Sequence, residues 1–230
     1  MIPHYGTAIR VVILSLLIQA QAQSEPFTNL DFELGRFRGD FPTTDTAEVL
    51  IPGWTLMFDN QVVNFMRAGL PAAGSPTAWL ADRRFIEGNV IQGRFSLALE
   101  PGYSSPSEPH HWAHYGLSQS GDVPAGSQAL RFQGKWGVFS VRIDGISLDL
   151  VDESPTDLWY AADVRQFAGQ RVLLEFLTTE GSPGTGSRAH VLDTIEFSPN
   201  PVIPEPSPVA IAVCGMGVFL LVHGRRGRRT

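Results

Sequence analysis

The sequence predicts an all-β domain, a β-sandwich, set between two short segments that direct the chain to its compartment. Three observations predict it. Apolar and polar residues alternate in about ten short runs, the pattern of half-buried strands. These runs are separated by turns that draw on 23 glycines and 17 prolines. Outside the two end segments no stretch keeps a 3.6-residue apolar period, so we expect no long helix. Many short strands joined by such turns are typical of sandwiches.

Each predicted strand follows from its own local pattern. The first, 27–35, places Leu30, Phe32 and Leu34 on one face. The clearest signal is a hairpin at 139–150, in which Asp144-Gly145 favours a type I′-like turn. The other predicted strands are one that begins at Ile51, and the runs 61–66, 78–81, 95–99, 112–119, 128–132, 158–164, 171–178 and 189–197.

The first end segment, 1–22, has the three parts of a secretory signal peptide. Arg10 precedes an apolar run at 11–18, and Ala20-Gln21-Ala22 supplies a small-residue cleavage site. The alternative, a first membrane helix, is disfavoured because the run is short. We therefore expect an exported chain whose mature domain spans 23–200.

The second end segment, 201–230, combines a rigid motif, an apolar run and a basic end. Its motif is Pro204, Glu205, Pro206 and Ser207. The apolar run 209–222 would reach only ~21 Å as a helix, against a bilayer core of ~30 Å. Positive flanks resist translocation, so the basic end should stay in the cytoplasm and the domain outside. The arginines of that end are Arg225, Arg226, Arg228 and Arg229.

This tail resembles the PEP-CTERM sorting signal of Gram-negative bacteria that make extracellular polysaccharide. The resemblance covers the motif, the span and the basic end in the family's order. It implies that exosortase, a membrane transpeptidase, processes the chain near the motif, after transient anchoring in the inner membrane. The protein would then lie in the cell envelope, on the outer surface or in the medium. The alternative is a plain C-terminal membrane anchor.

Charge and cysteine content limit the partners. The two end segments hold five of the 17 Lys and Arg and one of the 23 Asp and Glu, which leaves 12 cations and 22 acids in the mature region, a net charge of −10. An acidic surface repels nucleic acid and anionic lipid, and suits a cation or neutral sugar chains better. Cys214, the single cysteine, lies in the tail, so the domain has no disulfide and no cysteine metal site.

The domain resembles the galactose-binding-like jelly rolls, a group that includes many carbohydrate-binding modules. The resemblance spans nearly the whole mature region and implies a jelly roll of eight to ten strands, often with structural calcium, sometimes with bound sugar, and without catalysis. The motifs that carry it are Asn29-Leu30-Asp31-Phe32-Glu33, Pro52-Gly53-Trp54, Gly116 to Gly121 with Val123-Pro124-Ala125-Gly126, and Val191-Leu192-Asp193-Thr194-Ile195.

The resemblance implies a calcium site at Glu33 and Asp193, which match the family's ligand positions near the first strand and in the last. Period-two alternation puts Asp193 on the face of Val191 and Ile195, where a carboxylate is costly unless it is paired, hydrogen-bonded or metal-bound. Hard oxygen ligands suit calcium. Relatives often carry two successive Asp residues, whereas Thr194 takes the second place here. The alternative is that Asp193 accepts hydrogen bonds without an ion.

Aromatic residues are the candidates for sugar binding, because their faces stack on sugar rings. Trp136, in a Gly-flanked loop, and Trp112 and Tyr103, beside a Pro-rich loop, are the predicted ligand-binding residues. Trp54 and Trp79 lie in apolar strands and are predicted core residues. Ordinary core or rim packing is the alternative for the first three.

A histidine cluster and the absence of catalytic motifs complete the sequence evidence. His110, His111 and His114 could suggest zinc, but Pro109 and the β context argue against the helix that such spacing needs, so solvated loop histidines are expected. Nucleophile-elbow, phosphate-loop and dinucleotide motifs are absent. The sequence therefore favours a non-enzymatic exported protein that binds polysaccharide or serves as a scaffold, with a hydrolase of matrix polysaccharide as the alternative.

Overall fold

The structure, a computed structural model, describes residues 25–36, 43–68, 77–85, 87–103, 112–137, 139–154, 156, 158–178 and 189–202. The predicted signal peptide at 1–22 lies outside these residues. So do the sorting motif at 204–207, the span at 209–222 and the four terminal arginines. Within the described ranges, no helix has the length and apolar character needed to cross a bilayer.

Short strands make up nearly all the regular secondary structure of the described chain. It also contains one helical turn, α1 (Ala47–Leu50), and two 3₁₀ turns, Glu87–Asn89 and Arg165–Phe167. The strands are β1 (Thr43–Thr46), β2 (Thr55–Phe58), β3 (Gln61–Val62), β4 (Phe65–Ala68), β5 (Thr77–Asp82), β6 (Phe95–Glu100), β7 (Gly102–Tyr103), β8 (Trp112–Ala113), β9 (Tyr115–Asp122), β10 (Ala129–Lys135), β11 (Phe139–Ile143), β12 (Ile146–Ser147), β13 (Val151–Ser154), β14 (Trp159–Asp163), β15 (Arg171–Thr178) and β16 (His190–Ser198).

Two sheets and one ribbon account for these strands. The larger sheet has eight strands in the order β1-β4-β5-β6-β16-β10-β14-β13, and the smaller has six in the order β12-β11-β15-β9-β2-β3. Strands β7 and β8 form a separate ribbon. The pair β4–β5 is parallel, and the remaining named pairs are antiparallel. The predicted β-sandwich is thereby confirmed.

The main core lies between the sheets, because alternate residues of each strand point inward. On β15 the inward set is Val172, Leu174 and Phe176, each at most 3% exposed. Phe176 meets Phe132 of the larger sheet edge to face, with ring centroids 5.2 Å apart. Burial of such side chains contributes roughly 1.5–3 kcal/mol each, so this inter-sheet layer supplies most of the apolar stabilisation.

A second, smaller buried layer covers the outer face of the eight-stranded sheet. Residues 83–85 and 87–94, which we call the covering segment, cross this face between β5 and β6. Val90 of the segment packs on the outward side chains Trp79, Ala98 and Val191. Trp79 is only 1% exposed. Among the described residues, the outer face of the six-stranded sheet has no comparable apolar layer.

Asp82 fixes both ends of the covering segment. Its carboxylate is fully buried and accepts hydrogen bonds from the guanidinium groups of Arg84, at the start of the segment, and Arg94, at its end. The backbone N–H of Arg84 donates to the same carboxylate at 2.9 Å. Burial opposes ionisation of Asp82, but the hydrogen bonds from Arg84 and Arg94 outweigh it and lower the pKa of the carboxyl.

The predicted first strand at 27–35 is wrong: this stretch is a series of turns. Asn29 and Phe32 have φ of 52° and 59°, which no extended strand allows. The Asn29 side chain accepts the N–H of Leu34 at 2.9 Å and so folds the backbone back on itself. Of the three apolar side chains, Phe32 is fully buried and Leu34 is 55% exposed. A local side-chain hydrogen bond thus overrides the period-two pattern.

The predicted hairpin is confirmed. Asp144 and Gly145 have φ of 49° and 76°, as a type I′ turn requires, and β11 pairs with β12 across them. A second turn of this kind, which the sequence analysis did not foresee, joins β2 to β3. There Asp59 and Asn60 have φ of 51° and 63°.

Candidate functional site

A groove crosses the outer face of the six-stranded sheet. Its floor is a row of directly opposed residues on four adjacent strands, Met57, Gly116, Leu177 and Ser140. Each points away from the inter-sheet core, because its neighbour in sequence points inward. Three steps between neighbouring strands span about 14 Å. The groove encloses about 410 Å³, which is within the range of pockets that hold small ligands.

The middle of the floor is apolar because the side chains of Leu177 and Met57 cover Gly116, which has no side chain of its own. The side chains of Leu177 and Met57 meet above this glycine: a Cβ placed there would lie 2.8 Å from Leu177 and 3.1 Å from Met57. A larger residue at 116 would displace them and fill the groove. The glycine therefore makes room for these two apolar side chains on the floor of the groove.

Opposite charges stand at the two ends of the groove. At the β2 end the turn residues Asp59 and Asn60 line it, and at the β11 end Ser140 and Arg142 do so. The side chain of Arg142 is exposed and makes no hydrogen bond or ion pair with any residue that the structure describes. The groove therefore has an acceptor-rich end, an apolar centre and a donor-rich end.

His114 completes the lining and has a fixed tautomer. Its Nδ1 lies 3.0 Å from the carbonyl oxygen of Thr178. A carbonyl can only accept, so Nδ1 carries the proton and Nε2 remains for another partner. Thr178 is held in turn, because its hydroxyl accepts the N–H of Tyr115 at 3.0 Å and donates to the Tyr115 carbonyl at 3.2 Å.

Two of the three predicted sugar-binding aromatic residues are brought together. Tyr103 and Trp112 are cross-strand partners in the ribbon β7–β8. Trp112 precedes groove residue His114 by two positions, so the ribbon adjoins the lining of the groove along the chain. These placements are of the backbone, and sugar binding by either residue stays a prediction.

Trp136 is 43% exposed, with φ of 67°, in the link that leads from β10 towards β11. One face of its ring is already occupied, because the Lys135 ammonium lies 4.7 Å from the ring centroid. The same ammonium donates to the Gly88 carbonyl at 2.8 Å. At most the other face of Trp136 is available for a sugar ring.

The other aromatic and histidine predictions divide between buried and undescribed residues. Trp54 and Trp79 are buried, at 4% and 1% exposure, as expected for core residues. His110 and His111 lie outside the described residues. Within the described ranges, no group of three or more His, Cys, Asp or Glu side chains is placed to hold a metal ion.

The prediction for Asp193 is confirmed in part: Asp193 is buried and shares its face with Val191, but a β-bulge in β16 puts Ile195 on the opposite face. The pairing with β10 shifts between Arg131 and Gln133, and Thr194 takes a φ of 44°. Ile195 therefore turns into the inter-sheet core, whereas Asp193 points to the outer face, beneath the covering segment. Asp193 is 1% exposed there.

The candidate calcium ligands Glu33 and Asp193 hold the same loop through hydrogen bonds. Asp193 Oδ2 accepts from Gln92 N at 2.9 Å and Ser96 Oγ at 2.5 Å, and its Oδ1 accepts from Thr194 N at 2.7 Å. Glu33 Oε1 accepts from the N–H groups of Arg94 and Phe95 at 2.7 and 2.9 Å. The loop is thus fastened by N–H and O–H donors.

This donor set does not fit a calcium ion. Calcium needs several oxygen lone pairs directed at one point, but both oxygens of Asp193 and one of Glu33 already accept hydrogen bonds. The arrangement matches the alternative, in which Asp193 accepts hydrogen bonds without an ion. Burial raises the pKa of Asp193 to about 6, although the hydrogen bonds from Ser96, Gln92 and Thr194 oppose the rise.

The groove itself was missed by sequence reasoning. Its floor comes from residues 57, 116, 140 and 177, which lie on four strands far apart in the chain. No local motif joins them, and only strand order and register bring them together. The one available signal was Gly116, a glycine inside a strand pattern.

Comparisons with known proteins add little to this geometry. No protein-family model matches the chain, and the search of curated proteins gives no match. Among solved structures, the chain is similar to the carbohydrate-binding module TmCBM61 in complex with β-1,4-galactotriose. The similarity covers 76% of this chain and 97% of that one, with 14% sequence identity and a TM-score of 0.39. A likeness this distant leaves the ligand to be inferred from the groove.

Proposed function

We propose that this protein binds carbohydrate in the groove on the outer face of the six-stranded sheet and does not catalyse a reaction. The observation that carries the proposal is the composition of the groove. An apolar floor formed by Met57, Gly116 and Leu177 lies between polar side chains at both ends. A sugar presents apolar C–H faces and hydroxyl groups at its edges, so it can bury its faces on the floor and hydrogen-bond at the ends.

The number of carboxylates favours binding over hydrolysis. Glycoside hydrolysis usually needs two carboxyl groups, about 5–9 Å apart, on either side of the scissile bond. Among the described residues that line the groove, Asp59 is the one carboxylate. A hydrolase remains the alternative, and its signature would be released sugar.

We further propose that the chain is exported and sorted. The support is in the sequence: the signal-peptide pattern at 1–22 and the tail with Pro204–Ser207, the span and the four arginines. Exosortase and the inner membrane would be the processing partners, and extracellular polysaccharide the final one. In a host that carries exosortase, mass spectrometry of the protein should show both termini trimmed. An intact chain would contradict this part of the proposal.

A glycan array with the full chain tests the binding proposal. We expect retention of a subset of glycans without released product. A bulky residue at the floor, Ser140→Trp, should abolish retention because it fills the groove. The control is Ser120→Trp, which changes an exposed residue of β9 on the same face but outside the groove lining. Failure of the wild-type chain to retain any glycan, or equal retention by both variants, would overturn the proposal.

A further inference from the structure

We infer that the sugar held in the groove carries a carboxylate, as a uronic acid does, and that Arg142 binds that carboxylate at the β11 end. This inference rests on the proposed function and names its ligand class. It starts from the bonding state of the arginines. Six of the nine described arginines, namely Arg83, Arg84, Arg94, Arg131, Arg165 and Arg171, donate to a carboxylate or carbonyl of the domain. Arg142 lines a groove and has no such bond to a described residue.

Arg131 and Arg142 differ in how many of their guanidinium N–H donors are bonded within the protein. Arg131 grips Glu153 with two parallel bonds, of 2.7 and 3.0 Å, on the outer face of the other sheet. Arg142 has an acidic neighbour, since Glu175 is its direct cross-strand partner on β15. No ion pair forms between these two side chains. The guanidinium of Arg142 therefore keeps its donors for a ligand.

The chemistry of a guanidinium selects the ligand. Its planar fork matches the two oxygens of a carboxylate, with which it forms two parallel charge-assisted bonds, whereas a neutral hydroxyl offers one acceptor and no opposite charge. Ser140, on the same face of β11, adds a hydroxyl beside the fork. Nε2 of His114, whose Nδ1 is bonded to the Thr178 carbonyl, offers a further polar atom in the lining. A carboxylate at this end would be recognised by charge, with neutral hydroxyls recognised beside it.

The other end of the groove fixes the orientation of the sugar. Asp59 lines this end, and a carboxylate there favours a sugar residue that presents hydroxyl groups over one that presents a second carboxylate. The net charge of −10 across the mature region acts in the same direction, since it disfavours approach of a densely charged polymer. The ligand we infer is thus a glycan in which a uronic acid residue adjoins neutral sugar residues.

Titration calorimetry with a matched pair of ligands tests this. The pair is an oligosaccharide with a terminal glucuronic acid and the methyl ester of the same oligosaccharide, which differs only in charge. The full chain should bind the acid about 10-fold more tightly than the ester, since a hydrogen bond to a charged group is worth about that factor. The difference should shrink as salt is added, because Arg142 is exposed.

Three variants locate the effect. Arg142→Gln should bind acid and ester equally, and Arg142→Lys, which keeps the charge but loses the fork, should fall between. Arg67→Gln is the matched control. Arg67 is also exposed and without a bond to a described residue, but it lies on β4 of the other sheet, so the 10-fold preference should persist.

The outcomes separate the two proposals. Equal binding of acid and ester by the wild-type chain, or a preference unchanged in Arg142→Gln, overturns the carboxylate inference and leaves carbohydrate binding standing. Absence of binding to either ligand, together with an array on which nothing is retained, overturns the proposed function itself.

Discussion

The outer faces of the two sheets differ: one is buried beneath the covering segment, and the other is exposed and forms a groove. On the eight-stranded sheet the covering segment hides Trp79, Ala98 and Val191, and three carboxylates hold that segment in place. On the six-stranded sheet the corresponding face carries small and polar side chains around a groove. The carboxylates of the first face are bonded within the protein, whereas the Arg142 side chain on the second is bonded to no described residue.

This difference separates structural polar groups from functional ones. A buried carboxylate is tolerated only when it is fully hydrogen-bonded, as Asp82 and Asp193 are. Such groups have little capacity left for a ligand. An exposed, unbonded side chain costs little to keep and can bind a partner. Glu33 and Asp193, the calcium ligands predicted from the sequence, accept hydrogen bonds from the covering segment. The candidate site lies on the other sheet.

The largest expected effect comes from removing the carboxylate that fixes the covering segment. Asp82→Ala should lower the free energy of unfolding by about 2–4 kcal/mol, because a buried carboxylate and its bonds to Arg84 and Arg94 are lost. Urea denaturation measures this. The matched control is Asp163→Ala. Asp163 bonds Arg165, two residues later, in the same pattern, but its side chain is 50% exposed. If both variants lose a similar free energy of unfolding, the attachment of the covering segment by Asp82 contributes no more to stability than an exposed ion pair does.

A smaller effect should appear in the pH dependence of stability. Burial raises the pKa of Asp193 to about 6 and lowers the pKa of His190 to about 4. As pH falls from about 6 to 4, native Asp193 takes up a proton before the unfolded chain does, which stabilises the fold. Over the same range His190 takes up a proton in the unfolded chain before it does so in the native fold, and this destabilises the native fold. The two contributions oppose each other, so the wild-type curve should be nearly flat for this pair.

In the variant Asp193→Asn, the contribution of His190 to the pH dependence of stability should no longer be offset. Its free energy of unfolding should drop by about 2–3 kcal/mol more than that of the wild type between pH 6.5 and 4. The mirror variant His190→Leu should show the opposite slope relative to the wild type. Parallel curves for wild type and Asp193→Asn would mean that the pKa of Asp193 is not raised.

The smallest expected effect is that of calcium. Because the oxygens of Asp193 and Glu33 already accept hydrogen bonds from the covering segment and its neighbours, we expect the same melting temperature in excess chelator and in millimolar calcium. A saturable rise with calcium that is lost in Asp193→Asn would contradict this and restore the ion that the resemblance implies.

Local patterns predicted much of the fold. The strand at 171–178 is found as predicted, the hairpin turn at Asp144-Gly145 has the expected geometry, and the large apolar residues Trp54 and Trp79 are buried. These features depend on periodicity and turn chemistry within a few residues. The first predicted strand is wrong because the Asn29 side chain accepts the N–H of Leu34 and turns the backbone. Asp193 is buried on the face of Val191 as predicted, but a bulge at Thr194 shifts the register and turns Ile195 to the opposite face.

By itself, then, the sequence determined a two-layer β architecture with an acidic surface, since alternation and turn residues act locally and charge is a simple count. Tertiary structure decided which side chains meet. Met57, Gly116, Leu177 and Ser140 share one row only because β2, β9, β15 and β11 are neighbours in one sheet. Strand order and register are set by long-range packing, which no short stretch of sequence encodes. The same packing buried Asp82 and Asp193 beneath the covering segment and left the Arg142 side chain exposed.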